Sequence, residues 1–181
     1  MPSRYDDELW ELVPDPGPPP RALREFVSSL AHAERALDLG CGDGRLAGEL
    51  DAAELTAADV SPVALERARG RLPEARIVEL EPDAPLPFDD GAFDLVLCTE
   101  TIEHVRDVQL LLSEIRRVLR PGGVLALTTP ALFTYGRRPD PLSPHLRFFT
   151  RRSLRRLLDE LGFDVEWLRR RSGTLLARAS R

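Results

Sequence analysis

Apolar residues recur along this chain with two periods, and the period changes at each cluster of proline or glycine. Over 21–31, Leu23, Phe26, Val27 and Leu30 fall at i, i+3, i+4 and i+7, which predicts a helix with one buried stripe. A short apolar run at 35–39 predicts the first strand. Glycines follow it at alternate positions, Gly40, Gly42 and Gly44, and a helix is expected to open at Asp43 or Gly44. Strands at 54–59 and 76–80 flank a helix that Ser61 caps, that Pro62 begins and that ends near Gly70. Residues 81–91 hold three prolines and an Asp-Asp-Gly, and so read as loop.

The run at 93–98 is almost continuously apolar, as befits a central strand buried on both faces. Asp107 caps a helix reaching about Leu119, with Leu111, Ile115 and Val118 inward. Pro121-Gly122-Gly123 stops it, and a strand follows at 124–129. Thr150 caps a last helix striped by Leu154, Leu157, Leu158 and Leu161, with Gly162 just past its end. Strands near 163–168 and 173–178 pair as an antiparallel hairpin through Arg171-Ser172-Gly173. Strands alternating with helices predict an α/β fold with a mostly parallel, doubly wound sheet, which binds ligands beyond the carboxyl ends of its strands.

Chemistry enters at 36–45, Ala-Leu-Asp-Leu-Gly-Cys-Gly-Asp-Gly-Arg. Glycines there let the backbone turn sharply and let a ligand press close. The dinucleotide fingerprint needs a third glycine where this chain has Arg45, so the loop reads away from NAD. Asp59 ends the second strand, where an acid accepts hydrogen bonds from ribose hydroxyls. Loop and acid together imply a nucleoside-bearing ligand.

Four segments in order resemble the class I S-adenosylmethionine-dependent methyltransferases of the small-molecule type. They are 36–44; 58–62, Ala-Asp-Val-Ser-Pro; 86–97, Leu-Pro-Phe-Asp-Asp-Gly-Ala-Phe-Asp-Leu-Val-Leu, running into Glu103-His104-Val105; and 119–127, Leu-Arg-Pro-Gly-Gly-Val-Leu-Ala-Leu. The resemblance implies a three-layer Rossmann-like fold with seven strands, the last antiparallel. It implies S-adenosylmethionine as methyl donor, S-adenosylhomocysteine as product and no metal. Gly40, Cys41 and Gly42 would present backbone to the methionine part of the donor, and Asp38 would reach its amino group through water. Asp59 would hold the ribose diol and Val60 would pack on adenine. Asp83 with Ala84 would meet the adenine amine, with Glu81 as the alternative acid. After the fourth strand, Thr99 would contact the donor and Glu100 the acceptor, close to where methyl transfer takes place. His104 and His145 are candidate bases, each with a scaffold role as the alternative. Tyr5, Trp10, Tyr135 and Arg147 are candidate substrate contacts.

The whole of 1–181 reads as one domain. Residues 1–20 would be an N-terminal segment with a stiff Pro-rich linker, able to close as a lid. Residues 21–130 would form the donor-binding core, and 131–181 the substrate-side loop and last strands. The N-terminus lacks the apolar core of a signal peptide and no run reaches the ~20 residues of a membrane span, so a cytoplasmic protein is expected. Two cysteines without metal spacing read as reduced, buried thiols. Every basic residue is arginine, and 16 of the 25 lie after residue 100. That asymmetry suits an anionic small-molecule acceptor. The net charge of −5 disfavours a broad nucleic-acid footprint. RNA or protein methylation through the Arg-rich half, or an inactive donor-binding subunit, are the rival readings; the oligomeric expectation is a monomer or homodimer.

Overall fold

The structure is a computed structural model and describes residues 10–12, 17–132 and 145–181. Its centre is one seven-stranded sheet of β1 (Ala33–Leu39), β2 (Ala52–Asp59), β3 (Arg76–Glu79), β4 (Phe93–Thr99), β5 (Leu119–Pro130), β6 (Asp164–Arg171) and β7 (Thr174–Ser180). The strand order is β3-β2-β1-β4-β5-β7-β6. β1 to β5 run parallel, and β7 slots in antiparallel to both β5 and β6. The order reverses between β1 and β4, which opens the crevice where such sheets take ligands.

Helices cover both faces. The stripe of α1 (Arg21–Val27) and alternate residues Leu95 and Leu97 of β4 bury together on one face. Leu65 of α2 (Pro62–Arg71) packs with Ala57 on that side. Val96 and Cys98 point to the opposite face, against Leu112 and Ile115 of α3 (Val108–Val118) and Leu154 and Leu158 of α4 (Arg151–Glu160). The nearly unbroken apolar run of β4 thus reflects burial on two faces, with period two hidden inside it. The capping signals also hold. The Ser61, Asp107 and Thr150 side chains accept from the backbone N–H groups of Ala64, Leu110 and Ser153. Among the described residues, no helix is long and apolar enough to cross a membrane.

Three local expectations are corrected. α1 ends at Val27 rather than near residue 31, with Ser28 as its C-cap. No α-helix opens at Asp43 or Gly44; a single 3₁₀ turn, Ala47–Glu49, stands in its place. Gly40, Gly42 and Gly44 all take positive φ, so the loop winds on past the expected helix start, and β2 begins at Ala52. Too few residues are left for more than that turn. Finally, Pro121-Gly122-Gly123 lies inside β5 rather than before it. Phe93 pairs with Leu119 and Leu95 with Val124, two steps along β4 against five along β5. The extra residues bulge out of the ladder, which accommodates the proline.

The loop between β3 and β4 has no helix of its own. Leu86 and Phe88 plug the core, and α3 satisfies the backbone around them. Arg117 donates to the carbonyls of Leu86 and Phe88 at 3.0 and 2.8 Å, and Glu114 accepts from the Leu86 N–H at 2.8 Å. Arg117 also pairs with Glu114 and Asp90. This clamp sets the floor of the cleft described below.

Candidate active site

The Gly-rich loop is bolted to the end of β2. The N–H groups of Gly40 and Cys41 both donate to the Ala58 carbonyl, at 2.8 and 3.0 Å. Asp59 accepts the Gly42 N–H on one oxygen (2.8 Å) and the Ser61 N–H on the other (2.9 Å). The N–H groups are therefore committed to the fold, and the loop offers its Cα and carbonyl surface instead. That surface is crowded: a Cβ on Gly42 would lie 2.7 Å from the Trp10 indole, and one on Gly40 would lie 2.4 Å from the Thr101 hydroxyl. Only glycine lets the Thr101 and Trp10 side chains lie this close to the loop.

Asp38 stands near the end of β1, only 1% exposed, and neither of its oxygens has a hydrogen-bond partner among the described residues. Burial, and then the charge of Asp59, push its carboxyl up to about 7. A buried carboxylate without a partner is costly, so this position favours a cationic group. Cys41 and Cys98 are free and buried, as expected, and burial pushes both thiols well above their ordinary range.

Beyond β4 the chain strains to turn. Glu100 takes φ +50, a left-handed conformation that a non-glycine residue adopts at a cost of about 1–3 kcal/mol. The Thr128 hydroxyl donates to its carboxylate at 2.9 Å. Thr101 follows, its hydroxyl donating to the Thr99 carbonyl at 2.9 Å. Glu103 is then buried at 1% exposure, with Thr129 donating to its Oε2 at 2.9 Å. Burial and then Glu100 raise its carboxyl to about 8. The His104 ring lies 4.9 Å from that of His145, whose pKa burial lowers.

A cleft of about 600 Å³ runs from the Gly-rich loop to the 100–111 segment. Of the residues named from sequence, it is lined by Trp10, Gly40, Gly42, Asp59 and Val60, and further along by Asp83, Ala84, Glu100 and His104. Glu81, the alternative acid, lines it too. Cys41 and Thr99 line a neighbouring hollow of about 360 Å³ on the other side of Trp10. Asp38, His145 and Arg147 line neither. Arg147 instead donates to the Arg106 carbonyl at 2.6 Å, tying the segment after His145 to the one after His104. Tyr5 and Tyr135 lie outside the described residues.

Sequence reasoning missed three participants. Arg45, singled out only as a missing glycine, pairs with buried Asp43 at 2.7 Å and donates to the Gly17 carbonyl, fastening the N-terminal strap. Arg67 donates to the Trp10 carbonyl at 2.6 Å and sits 5.7 Å over its ring. Thr101 covers Gly40. Only Arg45 carried a signal, since its charge sits inside the motif; the other two depend on contacts far apart in sequence.

The cleft lies beyond the carboxyl ends of β1, β2 and β4. The family profile described as a methyltransferase domain matches residues 37–127. The chain is 36% identical over 134 residues to a probable S-adenosylmethionine-dependent methyltransferase of Mycolicibacterium smegmatis, covering 72% of this chain and 52% of that one. It is 38% identical over 133 residues to a trans-aconitate 2-methyltransferase of Variovorax paradoxus, covering 70% and 47%. The chain spans about half the length of these curated relatives. In fold it resembles a methyltransferase solved with the Trm112 methyltransferase activator of Haloferax volcanii, with TM-score 0.77, 19% identity and 87% of each chain covered. Matching segments and sheet order thus converge, and the chain belongs to the class I S-adenosylmethionine-dependent methyltransferases.

Proposed function

We propose that this chain methylates an oxygen, nitrogen or carbon of a small, anionic metabolite. The observation that carries the reading is the cleft itself: about 600 Å³, roofed by Trp10, with Arg106 in its wall. That volume suits a donor and a compact acceptor side by side. A relative named for trans-aconitate methylation supports it. Several arginines of the basic half are already paired, Arg156 with Glu160, Arg171 with Glu25 and Arg178 with Glu166, which argues against a docking surface for RNA.

S-adenosylmethionine supplies an electrophilic methyl group on a cationic sulfur. In this reading Asp59 accepts the ribose hydroxyls, Asp38 faces the ammonium group, Val60 packs on adenine and Asp83 meets its amine. Glu100 and Thr101 border the space left for the acceptor. The residues work chiefly by holding the two reactants in line, a contribution of roughly 7–11 kcal/mol where alignment is good. With methyl-labelled donor and a mixed panel, label is expected in small carboxylic or phenolic acids. Label that enters RNA or protein instead, with rates that fall steeply with salt, overturns the reading.

The strap closes over the donor in the same reading. Its roof, Trp10, is held from α2 by Arg67 and lies on Gly42. In a Trp167→Phe background, which leaves Trp10 as the only tryptophan, donor binding is expected to shift the indole emission. Trp10→Ala is expected to weaken donor binding about tenfold, the loss of one desolvated aromatic contact. Unchanged emission and affinity would remove the lid.

A further inference from the structure

We infer that Glu103, His104 and His145 form a binding site for one divalent transition-metal ion at the rim of the cleft. Each residue offers a ligand atom, and the atoms lie within 4.8 Å of one another. The inference goes beyond methyl-donor binding and holds whichever acceptor the enzyme uses.

Three observations carry it. First, Glu103 is 1% exposed and, among the described residues, only one of its oxygens is satisfied: Thr129 holds Oε2, and Oε1 is left without a hydrogen-bond partner. That bare oxygen is the one nearest His104, 3.9 Å from its Nε2. A hydroxyl that fixes one carboxylate oxygen and leaves the other free is the arrangement outer-shell partners give to metal ligands. Second, the backbone holds the two histidine segments together before any ion arrives. The Leu146 N–H donates to the Glu103 carbonyl at 2.8 Å, and Arg147 donates to the Arg106 carbonyl. Phe148 meets the His145 ring edge-on at 5.6 Å, which limits how it turns. Third, the spacing is nearly that of a coordination shell. Metal–nitrogen and metal–oxygen bonds of about 2.0–2.2 Å put neighbouring ligand atoms about 3–3.5 Å apart, so the widest separation must contract by about 1.5 Å. Rotation of the partly exposed His104 side chain supplies it.

Two imidazoles and one carboxylate suit Zn²⁺, Fe²⁺ or Co²⁺ better than Mg²⁺ or Ca²⁺, which prefer all-oxygen shells. Three protein ligands leave positions open, unlike a closed structural site. His104 lines the cleft, so those positions lie beside it, where an oxygen of an anionic acceptor would find a Lewis acid. Under this proposal His104 and His145 are metal ligands, where the sequence offered them as candidate bases and no metal was expected.

Cobalt makes the site visible without any turnover. Chain stripped with a chelator and titrated with Co²⁺ is expected to develop d–d absorption that saturates at one ion per chain, and Zn²⁺ should abolish it while Mg²⁺ should not. His104→Gln and His145→Gln should each weaken Co²⁺ binding at least about tenfold, and Thr129→Val, through its hold on Glu103, by about 10- to 100-fold. The histidine variants avoid the folding risk of changing Glu103, and donor binding measured on each reports separately on the methyltransferase site. His32→Gln serves as the control, because the remaining histidine sits exposed beside Asp51. Absence of the bands, bands that survive both His104→Gln and His145→Gln, or bands lost in His32→Gln would each overturn the site.

Discussion

Donor binding is expected to tighten about twenty- to thirtyfold between about pH 5.5 and about pH 7.5, as the competent, ionised fraction of Asp38 rises. The free carboxyl is held up to about 7, first by burial and then by Asp59. The cationic amino group of S-adenosylmethionine stabilises the ionised form, so its binding pulls that value down. Affinity must then climb about tenfold per pH unit below 7 and level off above it. The same group governs stability with the opposite sense. Because the folded value lies above the ordinary 3.8, the protonated form stabilises the fold at low pH. That contribution is complete below the unfolded value and is lost as pH rises through about 7, on the order of 4 kcal/mol in all. Titration of Cys41 or Cys98 cannot mimic it, since burial keeps both thiols protonated through this range. Calorimetry of donor binding across the range, with melting curves of the free protein, measures both effects. Asp38→Asn should abolish the slope of donor binding, while the melting curves keep a separate contribution from Glu103, whose carboxyl burial raises to about 8; a binding slope that persists in that variant, or a flat wild-type binding profile, rules out the ammonium partner.

Asp59→Ala should weaken S-adenosylmethionine binding by roughly 1–3 kcal/mol, about ten- to a hundredfold. The loss has two sources, and they separate cleanly. Asp59 holds the Gly42 and Ser61 N–H groups, so its removal also loosens the Gly-rich loop and the start of α2. A 3′-deoxy analogue of S-adenosylhomocysteine isolates the ligand part. If Asp59 accepts the ribose hydroxyl, the wild type discriminates against the analogue and Asp59→Ala does not, a coupling on the order of 1 kcal/mol. Equal discrimination by both proteins would confine Asp59 to a role in the loop.

Much of the scaffold was legible because its signals are short-range. Ser61, Asp107 and Thr150 cap helices through hydrogen bonds to N–H groups three residues on, so spelling and geometry coincide. The leucine stripe of α4 and the apolar run of β4 reflect solvent exclusion repeated at a fixed period. The expectations that failed did so where two distant segments compete. A helix after Gly44 was excluded by the distance to β2, and Pro121-Gly122-Gly123 became a bulge because β5 had already begun pairing with β4 at Leu119.

The site divides along the same line. Gly40, Gly42, Asp59 and Val60 follow strands whose ends are readable, and the sheet brings them to one crevice. Trp10 on Gly42, Arg45 at the strap and Arg147 on Arg106 are contacts across long stretches of chain, and no local rule announces them.

By itself the sequence determined that strands and helices alternate and, through four ordered segments, which family the chain resembles. Local hydrogen bonding, steric freedom at glycine and hydrophobic periodicity suffice for the first; the second rests on the resemblance. Tertiary structure alone decided which groups lose their water and which meet. It buried Asp38 without a partner, left one oxygen of Glu103 bare, and laid His145 against His104. Desolvation and proximity arise only once the sheet has closed, because both depend on what the rest of the chain packs around a residue.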